Sequence, residues 1–282
     1  MTNLSSDQMI VFYIFTALFS LGVGSFINVV AYRLPIMMSK AIEGEYNNMK
    51  GLNKNAPLFN LAYPSSACPG CKQSIKAWQN IPVVSYLYLK GVCSSCSMTI
   101  GLRYPLVEAA TCVLGVLAAV YFGPTLQCAT ALLFTYMLVS LFLIDSDHFL
   151  LPDSITVPLL WVGLIASTFN IFIDLESSLY GVVAGYLAPC ALFWVFKITT
   201  GKEGMGQGDF KLMAAIGAFV GWQLLPSLLF TASMILVTHA LVQKITNPDN
   251  YQSTMPFGPY LAVSGMLILY GYDVLGLIGL GI

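Results

Sequence analysis

Residues 126–148 have the sequence LQCATALLFTYMLVSLFLIDSDH, which indicates the class of fold to which the chain belongs. The first 19 residues of this stretch carry no charged side chain, and the run ends at Asp145 and Asp147. A helix needs about 20 apolar residues to cross a hydrocarbon core of about 30 Å. The stretch is therefore typical of a transmembrane helix that ends at a membrane surface with two carboxylates.

The composition of the whole chain agrees with this interpretation. The protein has 282 residues, of which 57% are hydrophobic and only 9% are charged. Soluble domains contain roughly 25% charged and 45–50% apolar residues. A core of this size cannot hide so much apolar surface from water, so the lipid bilayer must be the solvent. An ordinary soluble globule, a disordered chain and a nucleic-acid binder are excluded.

Eight apolar runs are adequate in length for membrane spans. They cover residues 9–31, 104–121, 126–144, 154–173, 178–195, 210–222, 225–242 and 259–280. No Lys or Arg precedes the first run, which predicts a retained span and not a signal peptide. With both termini outside, all 12 basic residues face the cytoplasm, as the positive-inside rule requires. We therefore predict an all-α polytopic membrane protein with about eight transmembrane helices.

The only sizeable aqueous segment lies between the first two spans. The sequence therefore predicts three parts: a first transmembrane helix at residues 1–35, a small cytoplasmic domain at 36–103, and a seven-helix membrane domain at 104–282.

Two Cys-x-x-Cys pairs lie in the predicted cytoplasmic domain. They are Cys68 with Cys71 and Cys93 with Cys96, separated by 21 residues. This spacing is typical of a four-thiolate zinc site, and a reducing cytoplasm favours metal over disulfides. Four thiolates leave no open position on zinc, so the metal is predicted to be structural and to staple a small domain. Two redox pairs or four unpaired thiols are the alternatives.

The other three cysteines, Cys112, Cys128 and Cys190, lie inside predicted spans. We expect them to pack as small apolar residues. His239, also inside a span, is expected to be a packing residue.

Two aspartates are candidates for catalysis. Asp145 ends the third span, and Asp209 follows Gly206 and Gly208 at the start of the sixth. Carboxylates at membrane depth are costly and are functional candidates by default. Two adjacent carboxylates sharing one proton can perform aspartic proteolysis, one activating water and the other polarising the scissile carbonyl. The two glycines permit close approach of a peptide backbone.

Further residues beside these segments are candidates for supporting the cleft. They are Asp147, Asp153, Lys211, Pro256 and Gly258. All of them except Lys211 have a structural alternative. Asp153 occupies a good helix N-cap position, Asp147 suits a solvated interface charge, and the Pro-Phe-Gly-Pro turn at 256–259 suits a simple loop into the last span.

Several motifs together resemble one known family. They are GSFINVV at 24–30, YRLP at 32–35, both Cys-x-x-Cys pairs, NIP at 80–82, RYP at 103–105, ID at 144–145, LPD at 151–153, GQGD at 206–209 and PFGP at 256–259. In their order and spacing, the chain resembles the type IV prepilin peptidases, also called type IV leader peptidases, over nearly its whole length.

The resemblance implies a bifunctional enzyme of the inner membrane of a Gram-negative bacterium, with periplasmic termini. Such enzymes cleave the basic leader of type IV prepilins and secretion pseudopilins at the cytoplasmic face. They then N-methylate the new N-terminal residue with S-adenosylmethionine. The resemblance also implies that Asp145 and Asp209 are the catalytic pair and that the long form with four cysteines carries both activities.

The methyltransferase half rests on the resemblance alone. No G-x-G-x-x-G motif follows a strand, so the sequence offers no Rossmann-type cofactor site. Position near the membrane makes Asn28, Arg33 and Glu108 the candidates. Glu108 is expected either to pair with Arg33 or Arg103 or to act in the chemistry.

Three other functions remain alternatives. A transporter or channel would need charges near the bilayer midplane, whereas the acids here cluster at one face. A noncatalytic assembly factor would tolerate loss of either Asp145 or Asp209. A general intramembrane protease of the G-x-G-D type would keep both aspartates without needing the cysteines.

Overall fold

The structure is a computed structural model that describes residues 5–50, 59–68, 70–202, 204–246 and 254–272. Within these ranges the chain is helical and contains no strand beyond two isolated bridges. The α-helices are α1 (Ser6–Met49), α2 (Val84–Tyr88), α3 (Arg103–Phe122), α4 (Leu126–His148), α5 (Asp153–Thr168), α6 (Leu175–Thr200), α7 (Gln207–Val220), α8 (Leu225–Thr246) and α9 (Gly258–Leu269). The predicted all-α class is confirmed.

Among the described residues, five helices are long and apolar enough to cross a membrane: α1, α3, α4, α6 and α8. Helices α5 and α9 are apolar but shorter. Large apolar side chains such as Phe15 (65% exposed) and Leu18 (64%) lie on the outer faces, as lipid contact requires. The protein is therefore a multi-pass membrane protein. The count of eight spans stays a prediction, because α7 has 14 residues and covers only about 21 Å.

The chain divides into two compact units, Met1–Pro124 and Thr125–Ile282. In the first unit, α1 continues past residue 35 to Met49 and is 44 residues long. The aqueous segment was expected to begin at residue 36, so its start is helical. Pro35 does not end the helix, and the residues after it are mostly good helix formers such as Met, Ala, Lys and Glu.

Helices α1 and α3 pack closely in the first unit, with Gly24 at the contact. A Cβ atom at Gly24 would lie 2.8 Å from the Cα of Glu108 and 3.1 Å from the Cβ of Thr111. Only a glycine at this position allows the two backbones to approach so closely.

Helix α7 is the centre of the second unit, where 11 of its 14 residues are buried. It packs against α5, α6 and α9. Gly181 of α6 lies directly on the backbone of Gly217, and the Ser178 hydroxyl donates to the Ala218 carbonyl at 2.7 Å. This small-residue packing fixes α7, and with it the position of Asp209 in its first turn.

Helix α4 ends one turn after Asp145. Phe149 adopts a left-handed conformation (φ 53°), and its N–H donates to the Asp145 carbonyl at 3.0 Å. Residues 150–152 then turn the chain into α5. Asp145 therefore lies in the last turn of α4, where the chain reverses direction.

Candidate functional site

The two candidate aspartates are both buried at helix ends in the second unit. Asp145 is 5% exposed in the last turn of α4, and Asp209 is 6% exposed in the first turn of α7. The backbone N–H of Gly258, at the start of α9, donates a hydrogen bond to the Asp145 carboxylate. The N–H of Gly206 donates to Asp209 Oδ2 at 3.2 Å. Each carboxylate therefore receives a backbone hydrogen bond that holds its orientation.

The two carboxylates belong to one cluster. Asp145 lies close enough to Asp209 for the two carboxylates to interact electrostatically. The Leu151 side chain joins their surroundings, because a Cβ atom at Gly208 would lie 2.9 Å from Leu151 Cβ and one at Gly258 would lie 3.2 Å from Leu151 Cδ1. Leu151 has no chemical signal in the sequence that would single it out as part of a site.

This arrangement can perform acid–base chemistry on a peptide. Two neighbouring carboxylates in a poorly hydrated site do not both ionise readily, so they tend to share one proton. The ionised group can then deprotonate a water molecule while the protonated group donates a hydrogen bond to a carbonyl oxygen.

Lys211 and Asp153 form an ion pair near Asp209. Lys211 Nζ contacts Asp153 Oδ1 at 2.7 Å and Oδ2 at 2.8 Å, joining the N-terminal ends of α7 and α5. The N-cap expected at Asp153 is wrong, since Pro152 occupies that position and Asp153 is the first helical residue. The Asp153 carboxylate points towards α7 and binds Lys211 there, so it does not cap its own helix.

The remaining candidates of this unit lie around the pair. Asp147 is exposed near the end of α4, and Pro256 precedes the Gly258 contact by two residues. His239 Nδ1 lies 2.6 Å from the Tyr260 hydroxyl, which agrees with a packing role between α8 and α9.

The four cysteines of the first unit converge on one point. Their Sγ atoms all lie within 4.8 Å of one another, and Cys68 and Cys96 are 3.7 Å apart. Zinc bound to four thiolates at about 2.3 Å gives a sulfur–sulfur separation of about 3.8 Å in a tetrahedron. The residues fit a structural zinc ion, as the Cys-x-x-Cys spacing predicts.

Two equivalent turns carry the cysteines. In the first knuckle (67–74), the Lys72 N–H donates to the Cys68 carbonyl and the Cys68 N–H to the Gln73 carbonyl. In the second knuckle (92–99), Ser97 and Cys93 repeat these bonds, with an isolated bridge closing each turn. The residue after each second cysteine has a positive φ, 60° and 57° respectively. The two sequences share little beyond the cysteines, so the sequence did not reveal this repeat.

Backbone N–H groups in the knuckles favour the thiolates that bind metal. The N–H groups of Cys96 and Ser95 lower the pKa of Cys93 to about 6. Those of Cys71 and Gly70 lower the pKa of Cys68. Zinc binds the deprotonated thiolate, so these N–H groups favour metal binding at Cys68 and Cys93. The N–H of Met98 acts in the same direction on Cys96, but desolvation and hydrogen bonds with the other three cysteines raise the pKa of Cys96 to about 11.

The three methyltransferase candidates bind the protein backbone. Asn28 Nδ2 donates to the Tyr104 carbonyl at 3.2 Å. Of the alternatives for Glu108, a pairing with Arg33 is not what the structure shows. Glu108 accepts the Val83 N–H at 2.8 Å, and Arg33 donates to backbone carbonyls of residues 60, 61 and 64. The sequence could not reveal these partners, since any residue type supplies a backbone group.

Fold and sites together define a helical multi-pass membrane protein with a buried aspartate pair in one unit and a four-cysteine metal site in the other. Residues 18–122 match the bacterial peptidase A24 N-terminal domain, and residues 132–241 match the type IV leader peptidase family. The chain belongs to the type IV leader peptidase family. It is thus related to membrane aspartic peptidases.

Curated relatives match nearly the whole chain. A prepilin leader peptidase/N-methyltransferase of Pseudomonas aeruginosa is 47% identical over 95% of this chain and 93% of its own length. Proteins of the same name are 45% identical in Dichelobacter nodosus, over 94% of each chain, and 44% identical in Stutzerimonas stutzeri, over 95% and 93%. No solved structure gives a significant match.

Proposed function

We propose that this chain is a bifunctional prepilin leader peptidase and N-methyltransferase with Asp145 and Asp209 as its catalytic pair. The observation that carries the proposal is the convergence of these two buried carboxylates, from distant parts of the chain, at the helix ends where Gly206 and Gly258 donate to them. The names of its curated relatives support the same pair of activities.

In the peptidase step, one carboxylate of the pair removes a proton from water. The water oxygen bonds to the scissile carbonyl carbon, while the protonated carboxylate donates a hydrogen bond to the carbonyl oxygen. The carbon–nitrogen bond then breaks, and a proton passes to the leaving amine. Gly206 orients Asp209 through its N–H, and Gly208 makes room for the Leu151 side chain beside the pair. Asp147, Asp153, Lys211, Pro256 and Gly258 support the cleft.

The substrates in this proposal are type IV prepilins and secretion pseudopilins, with their leader in the cytoplasm and an apolar helix in the bilayer. The enzyme lies in the inner membrane with eight spans, periplasmic termini, and both the aspartate pair and the cysteines at the cytoplasmic side. The distribution of the 12 basic residues supports this orientation. Cleavage then occurs where the leader meets the membrane.

In the methyltransferase step, bound S-adenosylmethionine supplies a methyl group to the amine released by cleavage. We assign this activity to the part of the chain that contains residues 36–103. Cys68, Cys71, Cys93 and Cys96 would hold a structural zinc ion that stabilises the fold of this part and leaves no coordination position for a substrate.

The test compares leader cleavage by the purified wild type with that by Asp145→Asn and Asp209→Asn. Loss of a general acid or base costs about 10²–10⁴-fold in rate, so both variants should lose cleavage to this extent. The matched control is Asp174→Asn, because Asp174 caps α6 and Asn caps equally well. Normal cleavage by either folded catalytic variant would contradict the assignment. Inactivity of a zinc-loaded wild type would favour an assembly factor or other substrates.

A further inference from the structure

A buried arginine on α1 binds the chain just before the first knuckle. Arg33 is 7% exposed, and its guanidinium donates to the carbonyls of Asn60 (3.0 Å), Leu61 (3.3 Å) and Pro64 (2.7 Å). It also lies 5.8 Å from the centre of the Phe59 ring. A planar guanidinium with five donors can serve three carbonyls at once, whereas a lysine ammonium cannot match that geometry.

A buried glutamate on α3 binds the chain between the two knuckles. Glu108 is 8% exposed, and its Oε2 accepts the N–H of Val83 at 2.8 Å. The Ser25 hydroxyl of α1 is a second partner. Val83 has φ 59° and ψ −48°, a conformation that β-branched residues rarely adopt. The hydrogen bond to Glu108 therefore restrains the backbone at this unusual conformation.

The two helices that carry these charges are themselves fixed to each other. Gly24 brings the backbone of α1 against Glu108, and Asn28 donates to the Tyr104 carbonyl at the start of α3. The two charged side chains therefore project from one rigid helix pair. They hold the chain on both sides of the first knuckle, at residues 59–64 and at residue 83.

We infer that Arg33 and Glu108 are positioning residues that clamp residues 59–83 onto the α1–α3 pair, and that methyl transfer depends on this clamp whereas leader cleavage does not. This inference rests on the proposed function, because it places methyl transfer in the part of the chain that contains the cysteines. Because both side chains already contact the backbone through their charged groups, we assign them to positioning and not to binding S-adenosylmethionine.

The test separates clamping from direct participation with conservative and disruptive variants. Glu108→Gln keeps a carbonyl oxygen that can accept the Val83 N–H, whereas Glu108→Leu has no acceptor. Arg33→Met removes all three donor contacts. Glu176→Gln is the control, because Glu176 is an exposed carboxylate on α6, outside residues 36–103. Four quantities are measured on full-length protein in detergent: cleavage of a prepilin, methyl transfer to a pre-cleaved pilin, zinc content and amide hydrogen exchange.

We expect Glu108→Leu and Arg33→Met to lose methyl transfer at least about 10-fold, since small displacements of a reacting group cost this much or more. Cleavage and zinc content should remain at the wild-type level. Exchange should rise at Val83 in Glu108→Leu and at residues 59–64 in Arg33→Met, because those segments open locally. Glu108→Gln should resemble the wild type and the Glu176→Gln control in all four measurements.

The inference is overturned if Glu108→Gln loses as much methyl transfer as Glu108→Leu while exchange is unchanged, since Glu108 would then act on the reactants. It is also overturned if both disruptive variants methylate at the wild-type rate. If the wild type itself methylates nothing, the proposed function fails. Amide hydrogen exchange still tests the clamp in that case. The clamp stands only if the Val83 amide exchanges faster in Glu108→Leu but not in Glu108→Gln.

Discussion

Gly258 lies directly against the carboxylate of Asp145. A Cβ atom at position 258 would lie 2.5 Å from Asp145 Oδ2 and 3.1 Å from its Cγ, so any side chain there would displace the carboxylate. The same glycine donates its N–H to Asp145. Position 258 therefore controls where the Asp145 carboxylate lies.

We expect Gly258→Ala to lower prepilin cleavage by about 10²-fold, because a displacement of about 1 Å has such an effect on a positioned catalytic group. Steady-state cleavage of a prepilin in detergent measures this change. The control is Gly22→Ala, because Gly22 is a helical glycine with no atom within 4 Å of the added carbon. Wild-type activity in Gly258→Ala would show that Asp145 need not occupy its observed position.

The Lys211–Asp153 ion pair should affect cleavage more than stability. Its side chains are 40% and 60% exposed, and exposed pairs contribute at most about 1 kcal/mol to the free energy of unfolding. We expect Lys211→Asp and Asp153→Lys each to reduce cleavage a few-fold by loosening the start of α7. The double variant with both charges exchanged should recover most of the rate. No recovery would mean that the two residues act independently of each other.

The close glycine contact between α6 and α7 should be needed for the stability of the second unit. A Cβ atom at Gly181 would collide with the backbone of Gly217, and one at Gly217 with that of Gly181. We expect Gly181→Ala to lower the free energy of unfolding by about 1–3 kcal/mol, as overpacking does. Thermal unfolding in detergent measures the change. Val195→Ala on the exposed face of the same helix is the control, and equal effects of the two would contradict the packing argument.

The aspartate pair was predictable from the sequence because its signal is chemical and local. Charged residues are rare in this chain, so carboxylates at span ends such as Asp145 and Asp209 stand out. The all-α class and the four-cysteine cluster were predictable for similar reasons, namely apolar run length and ligand spacing.

Contacts to the protein backbone were not predictable from the sequence. Arg33 binds carbonyls, and Glu108 binds an N–H group, so residue types did not identify either partner. The continuation of α1 to Met49 was missed because the apolar run ends near residue 31, and the more polar residues that follow carry no membrane signal. The pairing of Asp153 with Lys211 was missed because it depends on how α5 and α7 pack.

Zinc retention should depend on pH through Cys93 of the second knuckle. The pKa of Cys93 is lowered from 9.0 to about 6 by the N–H groups of Cys96 and Ser95. A lowered pKa favours the folded knuckle as the pH rises from about 6 towards 9, and this stabilisation is lost as the pH falls through about 6. Protons also compete with zinc for the thiolates, so zinc binding weakens as the pH falls.

We therefore expect the zinc-loaded protein to keep its metal at pH 7 in the presence of a mild chelator and to release it as the pH falls below about 6. Metal content after dialysis at each pH measures this loss. Cys93→Ser should lose zinc already at pH 7, because it leaves three thiolates. Cys112→Ser is the control and should follow the wild-type curve, since Cys112 lies on α3 away from the four-cysteine cluster. Release independent of pH, or from Cys112→Ser alone, would contradict a four-thiolate site at these residues.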